Sequence, residues 1–438
     1  MSKNSLIYFI LFSLLQFLLV EINCLKPSQR YLHTTTFINN KLYVLGGRFV
    51  SDDSIYSLGR EVLYLDFSVP FITTQESLPW VNLSSINFVP PYRAAASVVG
   101  GIKNHTIFLY GGETNYEKMA AVYTFSERNN TWGIPSIDGY DGNNVNANGN
   151  NADRKALLTG IVDDGKMYLW GGRETVSQTC VNDMLILDTV NVKWDTGSMV
   201  NAPTPRCGYG ATLLPNHKII YMGGFNAQSI GLDEVYIYDT LSNSWDTQTI
   251  SGKSPSNRQG FSANLGLDGQ RIIIFGGSEI DPKDALYVLS LTDFKWYIPK
   301  ISGNIPTSRS QHKSDVIGNY LVVTFGIGYS DSNESDVLLL DISNNDEYKW
   351  TTNFGSSPSS SPSSPLPLRK SHKVATIISA CVIGAMIFIV GIFYLHKWNK
   401  NRKVRKIAIN PSTSVKLDKS IVLTMVNDNG QESKQDKK

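Results

Sequence analysis

Residues 219–224 read IIYMGG, residues 235–239 read VYIYD, and Trp245 follows them. A short apolar run closed by two glycines predicts a strand buried on both faces and ended by a tight turn. The second run, rich in β-branched and aromatic residues, predicts a neighbouring strand. The tryptophan marks a further strand after the next turn. This stretch defines a sequence unit with which the rest of the chain can be compared.

The unit recurs six times, at a spacing of roughly 52 residues. The glycine pairs are Gly46-Gly47, Gly111-Gly112, Gly171-Gly172, Gly223-Gly224 and Gly276-Gly277, with a degenerate sixth copy at Gly326-Ile327-Gly328. The tryptophans are Trp80, Trp132, Trp194, Trp245, Trp296 and Trp350. An insertion at residues 67–79 displaces the first of them. Each unit reads as four antiparallel strands.

One such sheet cannot bury both of its faces, so neighbouring units must stack. Radial stacking closes the array and protects its edges. We therefore predict an all-β fold in which a six-bladed β-propeller occupies residues 25–354. Loops after the glycine pairs and loops before each unit lie on one face, and the hairpin turns lie on the other.

An arginine opens each unit. The six are Arg30, Arg93, Arg154, Arg206, Arg258 and Arg309. Strand order places them around the mouth of the central pore, on the face that carries the loops after the glycine pairs. We call this face the arginine face and the opposite one, with the hairpin turns, the turn face. At the pore mouth the arginines predict either a ring that binds carboxylate or phosphate through paired hydrogen bonds, or a set of tethers between each blade and its neighbour's loop.

The diglycine after an apolar strand, the tryptophan on the last strand and the opening arginine together resemble the kelch repeat. The resemblance covers about three-quarters of the chain, here residues 25–354. It implies a propeller whose arginine-bearing face binds a partner. It also extends to the copper-radical galactose oxidases, which use the same scaffold.

A copper-radical site needs converging histidines, and the sequence does not supply them. His33 and His312 fall inside the repeat, whereas His105 and His217 fall in turns on the opposite face. We therefore predict no metal and no cofactor. The chain also has no Gly-x-Ser-x-Gly nucleophile motif and no phosphate-binding loop before a helix.

Two apolar segments predict a single-pass type I membrane topology. Residues 1–24 have the basic start and apolar stretch of a signal peptide. Val374–Leu395 contains no charge and is long enough to cross a bilayer. The basic residues that follow place the C-terminus in the cytoplasm. The predicted location is the plasma membrane or the secretory pathway.

The segments beside the span have distinct compositions. Residues 355–373 are rich in Ser and Pro and predict an extended stalk. Residues 396–438 form a basic tail, in which Lys397–Lys406 is expected to contact anionic lipid headgroups. Residues 397–438 carry a net charge of +7 against +2 for the whole chain, which leaves −5 for residues 1–396. We predict no nucleic-acid partner.

The predicted outer part contains sequons and two cysteines. The sequons, at Asn82, Asn104, Asn129 and Asn333, are candidate N-glycosylation sites. Cys180 and Cys207 fall at the junction of blades 3 and 4 on the arginine face, and they predict either a disulfide or two buried thiols.

Three functions fit these features. The leading one is a membrane-anchored binding protein that recognises a protein or a glycan with its propeller loops. The alternatives are a carbohydrate oxidase or epimerase on the same scaffold, and a purely adhesive surface protein.

Overall fold

Each blade of the fold is built around a strand that is buried on both faces and ends in a tight turn. In the fourth unit, Ile219, Ile220, Tyr221 and Met222 have no exposed surface, because this strand is covered on both faces. Trp245 on the outermost strand of that unit packs against Tyr221 and Tyr238, at ring-centroid distances of 5.4 and 4.9 Å. The glycine pair after the buried strand reverses the chain.

The computed structural model describes residues 26–50, 57–74, 78–116, 119–139, 154–278, 280–330 and 334–355. The predicted signal peptide, span and tail lie outside these residues, as do Asn333, the Asn-rich segment 140–153 and the stalk beyond Gly355. Among the described residues, no helix combines the length and the apolar content that crossing a bilayer requires.

Six antiparallel four-stranded sheets form the blades, each from one unit of the chain. From the innermost to the outermost strand, blade 1 contains Thr34–Ile38, Lys41–Leu45, Val62–Asp66 and Trp80–Asn82, and blade 2 contains Ala96–Gly100, Thr106–Tyr110, Val122–Ser126 and Thr131–Gly133. In the same order, blade 3 contains Ile161–Asp163, Lys166–Trp170, Met184–Asp188 and Lys193–Thr196, and blade 4 contains Gly210–Leu214, Lys218–Met222, Glu234–Asp239 and Ser244–Thr249. Blade 5 contains Ser262–Leu265, Arg271–Phe275, Leu286–Ser290 and Lys295–Tyr297, and blade 6 contains Lys313–Ile317, Tyr320–Thr324, Val337–Asp341 and Glu347–Thr351. The predicted all-β, six-bladed propeller is confirmed, and each of the six tryptophans that mark the repeat lies on an outermost strand.

Short strands lie outside this framework. Asp138–Gly139, Ser251–Gly252 and Lys300–Ser302 each add a parallel fifth strand to the outer edge of the next blade. Arg30–Tyr31 pairs with Arg48–Phe49, Lys155–Ala156 with Arg173–Glu174, and Phe225–Asn226 with Gln228–Ser229. Two 3₁₀ turns occupy Ser84–Ile86 and Pro282–Asp284.

Main-chain hydrogen bonds from the glycine pairs join neighbouring blades. The second glycine of a pair donates its N–H to a carbonyl oxygen at the start of the next unit, as Gly224 does to Arg258 and Gly277 to Arg309, at 3.0 and 2.9 Å. A Cβ on Gly276 would collide with the Arg309 carbonyl oxygen, and the φ of Gly276 is +72°. Glycine is therefore required here by both the turn and the close approach.

The sixth pair differs from the sequence prediction. Gly326 donates to the carbonyl oxygen of Arg30 at 2.9 Å, as the second glycine does in other blades. The first position is therefore Phe325, at φ +50°, and the predicted Gly326-Ile327-Gly328 alignment was one residue out of register. The strand ends at Thr324. Phe325 is fully buried and its ring lies 5.4 Å from that of His33, so packing holds an unfavourable backbone conformation.

The ring closes between blades 6 and 1 in two places. Around the channel, six residues with positive φ, one before each innermost strand, form an unbroken circle of main-chain hydrogen bonds. In the donor order of that circle they are Leu32, Gln311, Gly260, Gly208, Leu157 and Ala94, with N···O distances of 2.7 to 3.0 Å. At the outer edge, Asn353–Phe354 pairs with Phe71–Ile72 from the insertion of blade 1. Phe354 stacks on Phe71 at a centroid distance of 5.1 Å.

Candidate functional site

Four of the six predicted arginines are buried inside their own blades. Arg30, Arg206, Arg258 and Arg309 expose no more than 2% of their surface. The Nη1 of each donates to the carbonyl oxygen of the first residue of the glycine pair in the same blade, for example from Arg258 to Gly276 at 3.1 Å. These side chains are structural links within a blade. The predicted tether to the neighbouring blade is made by the main-chain carbonyl instead.

Burial also affects the charge of these arginines. Desolvation lowers the pKa of Arg258 to about 10, while Tyr287 and Asp284 partly offset that effect. Its Nε donates to the carbonyl oxygen of Ser256 at 3.1 Å. Because its guanidinium donors are directed at oxygens of the protein, Arg258 has no surface to offer a macromolecular ligand.

Blades 2 and 3 have other residues at the equivalent position. Gly47 donates to the carbonyl oxygen of Tyr92, and Gly112 donates to that of Lys155. Arg93 and Arg154 are therefore displaced by one residue, and a ring of six equivalent arginines does not form. In these two blades the residue with positive φ is Ala94 or Leu157, two positions after Tyr92 or Lys155, and it identifies which residue is equivalent to the arginine of the other blades. Neither alanine nor leucine favours positive φ, so the sequence alone does not predict this alignment.

The displaced arginines belong to a different arrangement, which we call the basic cluster: Arg93, Arg154 and Arg173. Glu113 accepts from Arg93, with Nη2 2.6 Å and Nε 2.9 Å from Oε2, while its other oxygen contacts Arg173. The side chains of Arg93 and Arg173 are 24% and 27% exposed. One carboxylate therefore bridges two partly exposed guanidinium groups on the arginine face.

Arg154 is connected to the loop that carries Arg173 through the main chain. Its main-chain oxygen accepts from Thr175, two residues after Arg173, and its Nη1 is buried without a hydrogen-bond partner. The Nε of Arg173 is likewise buried without a partner. The cluster thus has a formal net charge of +2 when Glu113 is counted, and it retains unused donors.

Exposed apolar side chains occur in the loops that carry the basic cluster. Phe88 lies in the loop before blade 2, Tyr116 follows the glycine pair of blade 2, and Val176 follows that of blade 3. All three are more than half exposed, and Val176 reaches 72%. An arginine-rich patch with exposed aromatic and aliphatic side chains has the composition of a protein-binding surface.

Cys180 and Cys207 lie where the sequence predicts, between a loop of blade 3 and the start of blade 4. The structure pairs them as a disulfide, with Cα atoms 5.7 Å apart. Cys180 also forms a main-chain bridge with Arg173, and Cys207 forms one with Phe225. The pair therefore fastens the loop that carries Arg173 to the next blade.

The described sequons lie on the surface. Asn82, Asn104 and Asn129 are exposed, so each is sterically open to an attached sugar. Asn104 and Asn129 lie on the turns of blade 2, away from the arginine face. Glycosylation of all four sequons stays a prediction.

Comparison with known families settles the identity of the repeat. The family model of the KLHDC2/KLHL20/DRC7 Kelch-repeats domain matches residues 33–277 and, in a second match, residues 231–405. The first match alone covers more than half of the chain. The protein belongs to this kelch-repeat family.

Curated relatives of this kelch protein are distant in sequence. Kelch domain-containing protein 3 of Rattus norvegicus is 24% identical over 318 residues, which cover 68% of this chain and 78% of that protein. Kelch domain-containing protein 1 of Homo sapiens is 27% identical over 268 residues, which cover 56% of this chain and 60% of that protein. Acyl-CoA-binding domain-containing protein 4 of Arabidopsis thaliana is 25% identical over 239 residues, which cover 53% of this chain and 35% of that protein.

Each of the four described histidines of the kelch propeller shares a hydrogen bond with another side chain. His33 shares a hydrogen bond with Thr324 at 3.0 Å, and His312 shares one with Ser262 at 2.9 Å. On the turn face, His217 contacts Asp163 at 3.1 Å and His105 contacts Asn39 at 3.2 Å. Across the described residues, no three His, Cys, Asp or Glu side chains come together as a metal site.

Proposed function

We propose that this kelch propeller binds an acidic segment of a partner protein at the basic cluster on its arginine face. The observation that carries the proposal is the Arg93–Glu113–Arg173 bridge, in which one carboxylate serves two partly exposed guanidinium groups. Kelch propellers typically bind proteins. That property supports a protein partner over a glycan.

The chemistry of the cluster favours a carboxylate-bearing ligand. Guanidinium groups bind carboxylates through two parallel N–H···O bonds, and these charge-assisted bonds are about twice as strong as neutral ones. A partner carboxylate can reach the exposed parts of the Arg93 and Arg173 side chains, which are 24% and 27% exposed. Phe88, Tyr116 and Val176 supply apolar surface for the flanking residues of the same segment.

Selection from a random-peptide display library tests this proposal. We expect selection on the wild-type protein to enrich peptides rich in Asp and Glu. Replacing Arg93 and Arg173 with Ala should weaken the selected peptides about tenfold or more, since each loses a charge-assisted hydrogen bond. The matched control replaces Lys103 and Arg128, exposed basic residues on the turns of the same blade, and should leave the affinity unchanged.

Two results would refute a protein ligand at this cluster. One is equal loss of binding in the cluster variant and in the turn-face control, which would indicate general attraction to positive charge. The other is a failure to enrich acidic peptides, together with tight binding of sulfated or sialylated glycans that depends on Arg93 and Arg173. That outcome would replace the protein partner with a glycan.

The proposal also includes a location, with the propeller outside the cytoplasm on a type I anchor at Val374–Leu395. The signal-like residues 1–24, the exposed sequons and the Cys180–Cys207 pair support it, because disulfides persist in oxidising compartments. Treatment of the expressed protein with an N-glycosidase should reduce its apparent mass. Non-reducing mass spectrometry should yield linked Cys180 and Cys207 peptides. Two free thiols and an unchanged mass would contradict this location.

A further inference from the structure

The channel through the middle of the propeller is a cavity of about 320 Å³. The innermost strands of all six blades form its wall, together with the residues that precede them. Most of the lining side chains are small or carry hydroxyl or amide groups, such as Thr35, Ser97, Thr212 and Asn264. This volume lies at the lower end of the range found for small-molecule sites.

Two opposite charges lie on one wall of this channel. Lys313 and Asp315 are the only Lys, Arg, Asp or Glu among its lining residues. They belong to the innermost strand of blade 6 and are two positions apart, so their side chains point the same way. Both are partly exposed, which means that the channel reaches them. No ion pair within 4.0 Å joins the two.

Neither charge is well compensated by the protein. Asp315 accepts a hydrogen bond from Thr35 Oγ1 at 2.7 Å, while Lys313 Nζ has no hydrogen-bond partner among the described residues. Desolvation raises the pKa of Asp315 and lowers the pKa of Lys313, and their mutual attraction only partly opposes these shifts. A partly desolvated charge without an opposite charge in contact is costly, so the pair is suited to a ligand that supplies an opposite charge to each residue.

Other polar atoms on the same wall also lack partners. Gln311 Oε1 and His33 Nδ1 are buried without a hydrogen bond, and both residues line the channel at the junction of blades 6 and 1. Buried polar groups in folded proteins are nearly always hydrogen-bonded. These two atoms have no accessible surface, so Lys313 and Asp315 are the charged groups that a ligand in the channel can reach, while Asn264 and Ser314 nearby are already bonded to each other.

We propose that the channel binds a small zwitterion with the charge and size of a free α-amino acid. Its carboxylate would lie at Lys313 Nζ and its ammonium group at the open oxygen of Asp315. The site is separate from the basic cluster, which lies outside the channel lining and serves a macromolecular partner.

Thermal unfolding and isothermal titration calorimetry of the full chain test the proposal without any substitution. The probes are glycine and alanine as zwitterions, acetate as the anion alone and methylammonium as the cation alone. A ligand that binds only the folded state raises the unfolding temperature. We expect the amino acids to bind and stabilise, and the two single-charge probes to bind at least about tenfold more weakly, because each satisfies one charge only.

Substitutions identify the site. Lys313→Met and Asp315→Asn should each reduce amino-acid affinity about tenfold or more, whereas Lys103→Met on the turn face should not change it. If wild-type protein binds no zwitterion, or binds acetate equally well, the proposal is wrong and ordered water fills the channel or a simple anion occupies it. Retention of full affinity by folded Lys313→Met would also overturn it.

Discussion

At the scale of single residues, the buried arginines show how a repeated charged residue stabilises a β-unit. Arg258 is fully buried and its guanidinium group donates to oxygens of Gly276, Asp284 and Ser256. These carbonyl groups lie where the chain turns away from the sheet, so no ladder partner reaches them. The arginine satisfies them from one side chain.

Removal of this side chain should therefore be costly. Arg258→Leu leaves the carbonyl oxygens of Gly276 and Asp284 buried without a donor, and we expect a loss of about 3 kcal/mol or more in the free energy of unfolding. Arg128→Leu, at an exposed position on a turn, should change it by less than about 1 kcal/mol. Chemical denaturation of both variants is the measurement. Equal, small effects would mean that Arg258 is dispensable for stability.

Burial of His312 predicts a dependence of stability on pH. Desolvation, with smaller contributions from Arg309 and Lys313, lowers the pKa of His312 to about 3. The unfolded chain takes up a proton near pH 6.5 but the folded chain does not, so stability is lost as the pH falls from 6.5 towards 3. For this one residue the loss is about 1.4 kcal/mol per pH unit.

The histidine contribution can be separated from that of the carboxylates. His312→Gln keeps a group able to bond Ser262 and removes the titration. The difference in unfolding free energy between wild type and this variant should shrink as the pH falls from 6.5 to 4. Parallel curves for the two proteins would show that His312 does not cause the dependence.

At the scale of the element, the glycine pair is where one blade meets the next. Gly276 has φ +72°, and an added Cβ would meet the main chain of Arg309; Gly318, in the turn of blade 6, has φ +58° and open space around it. The two positions share a backbone conformation but differ in their surroundings. Substitutions at Gly276 and Gly318 therefore separate the free-energy cost of the positive-φ conformation from the cost of disturbing the contact between blades.

Alanine at each position tests that distinction. Gly318→Ala should cost about 1 kcal/mol for the left-handed conformation alone. Gly276→Ala should cost several times as much, because the Arg309 main chain must move and the Gly277 hydrogen bond to it is disturbed. Unfolding midpoints in urea, read with the slope of each transition, give both values. Similar costs at the two sites would contradict the assigned role of the pair.

The elements also show what a sequence can and cannot predict. Apolar runs followed by glycine pairs predict the buried strands, since both features have a local cause. Phe325 replaces the first glycine of blade 6 only because packing against His33 and Trp80 holds it there, and no local signal reveals this. The closing strand Asn353–Phe354 is two residues long, which is too short for any periodicity.

At the scale of the whole molecule, six units close into a ring and bring distant residues together. The contact between Arg173 and Glu113 joins positions 60 residues apart, so the basic cluster follows from the stacking of blades 2 and 3. From the sequence, the six arginines predict either an anion-binding ring at the mouth of the pore or a set of tethers between blades. In the structure, four arginine side chains bond within their own blades, while Arg93 and Arg173 share Glu113 at the surface.

The most direct test of the proposed role is a charge-swap measurement with an acidic peptide from the library selection. Wild-type protein, an Arg93→Glu/Arg173→Glu variant and a Lys103→Glu/Arg128→Glu control would each be titrated with that peptide and with its Lys-substituted counterpart. We predict that the cluster variant loses the acidic peptide and gains the basic one, while the control behaves as wild type. Unchanged affinity of the folded cluster variant for the acidic peptide would contradict binding at the arginine face.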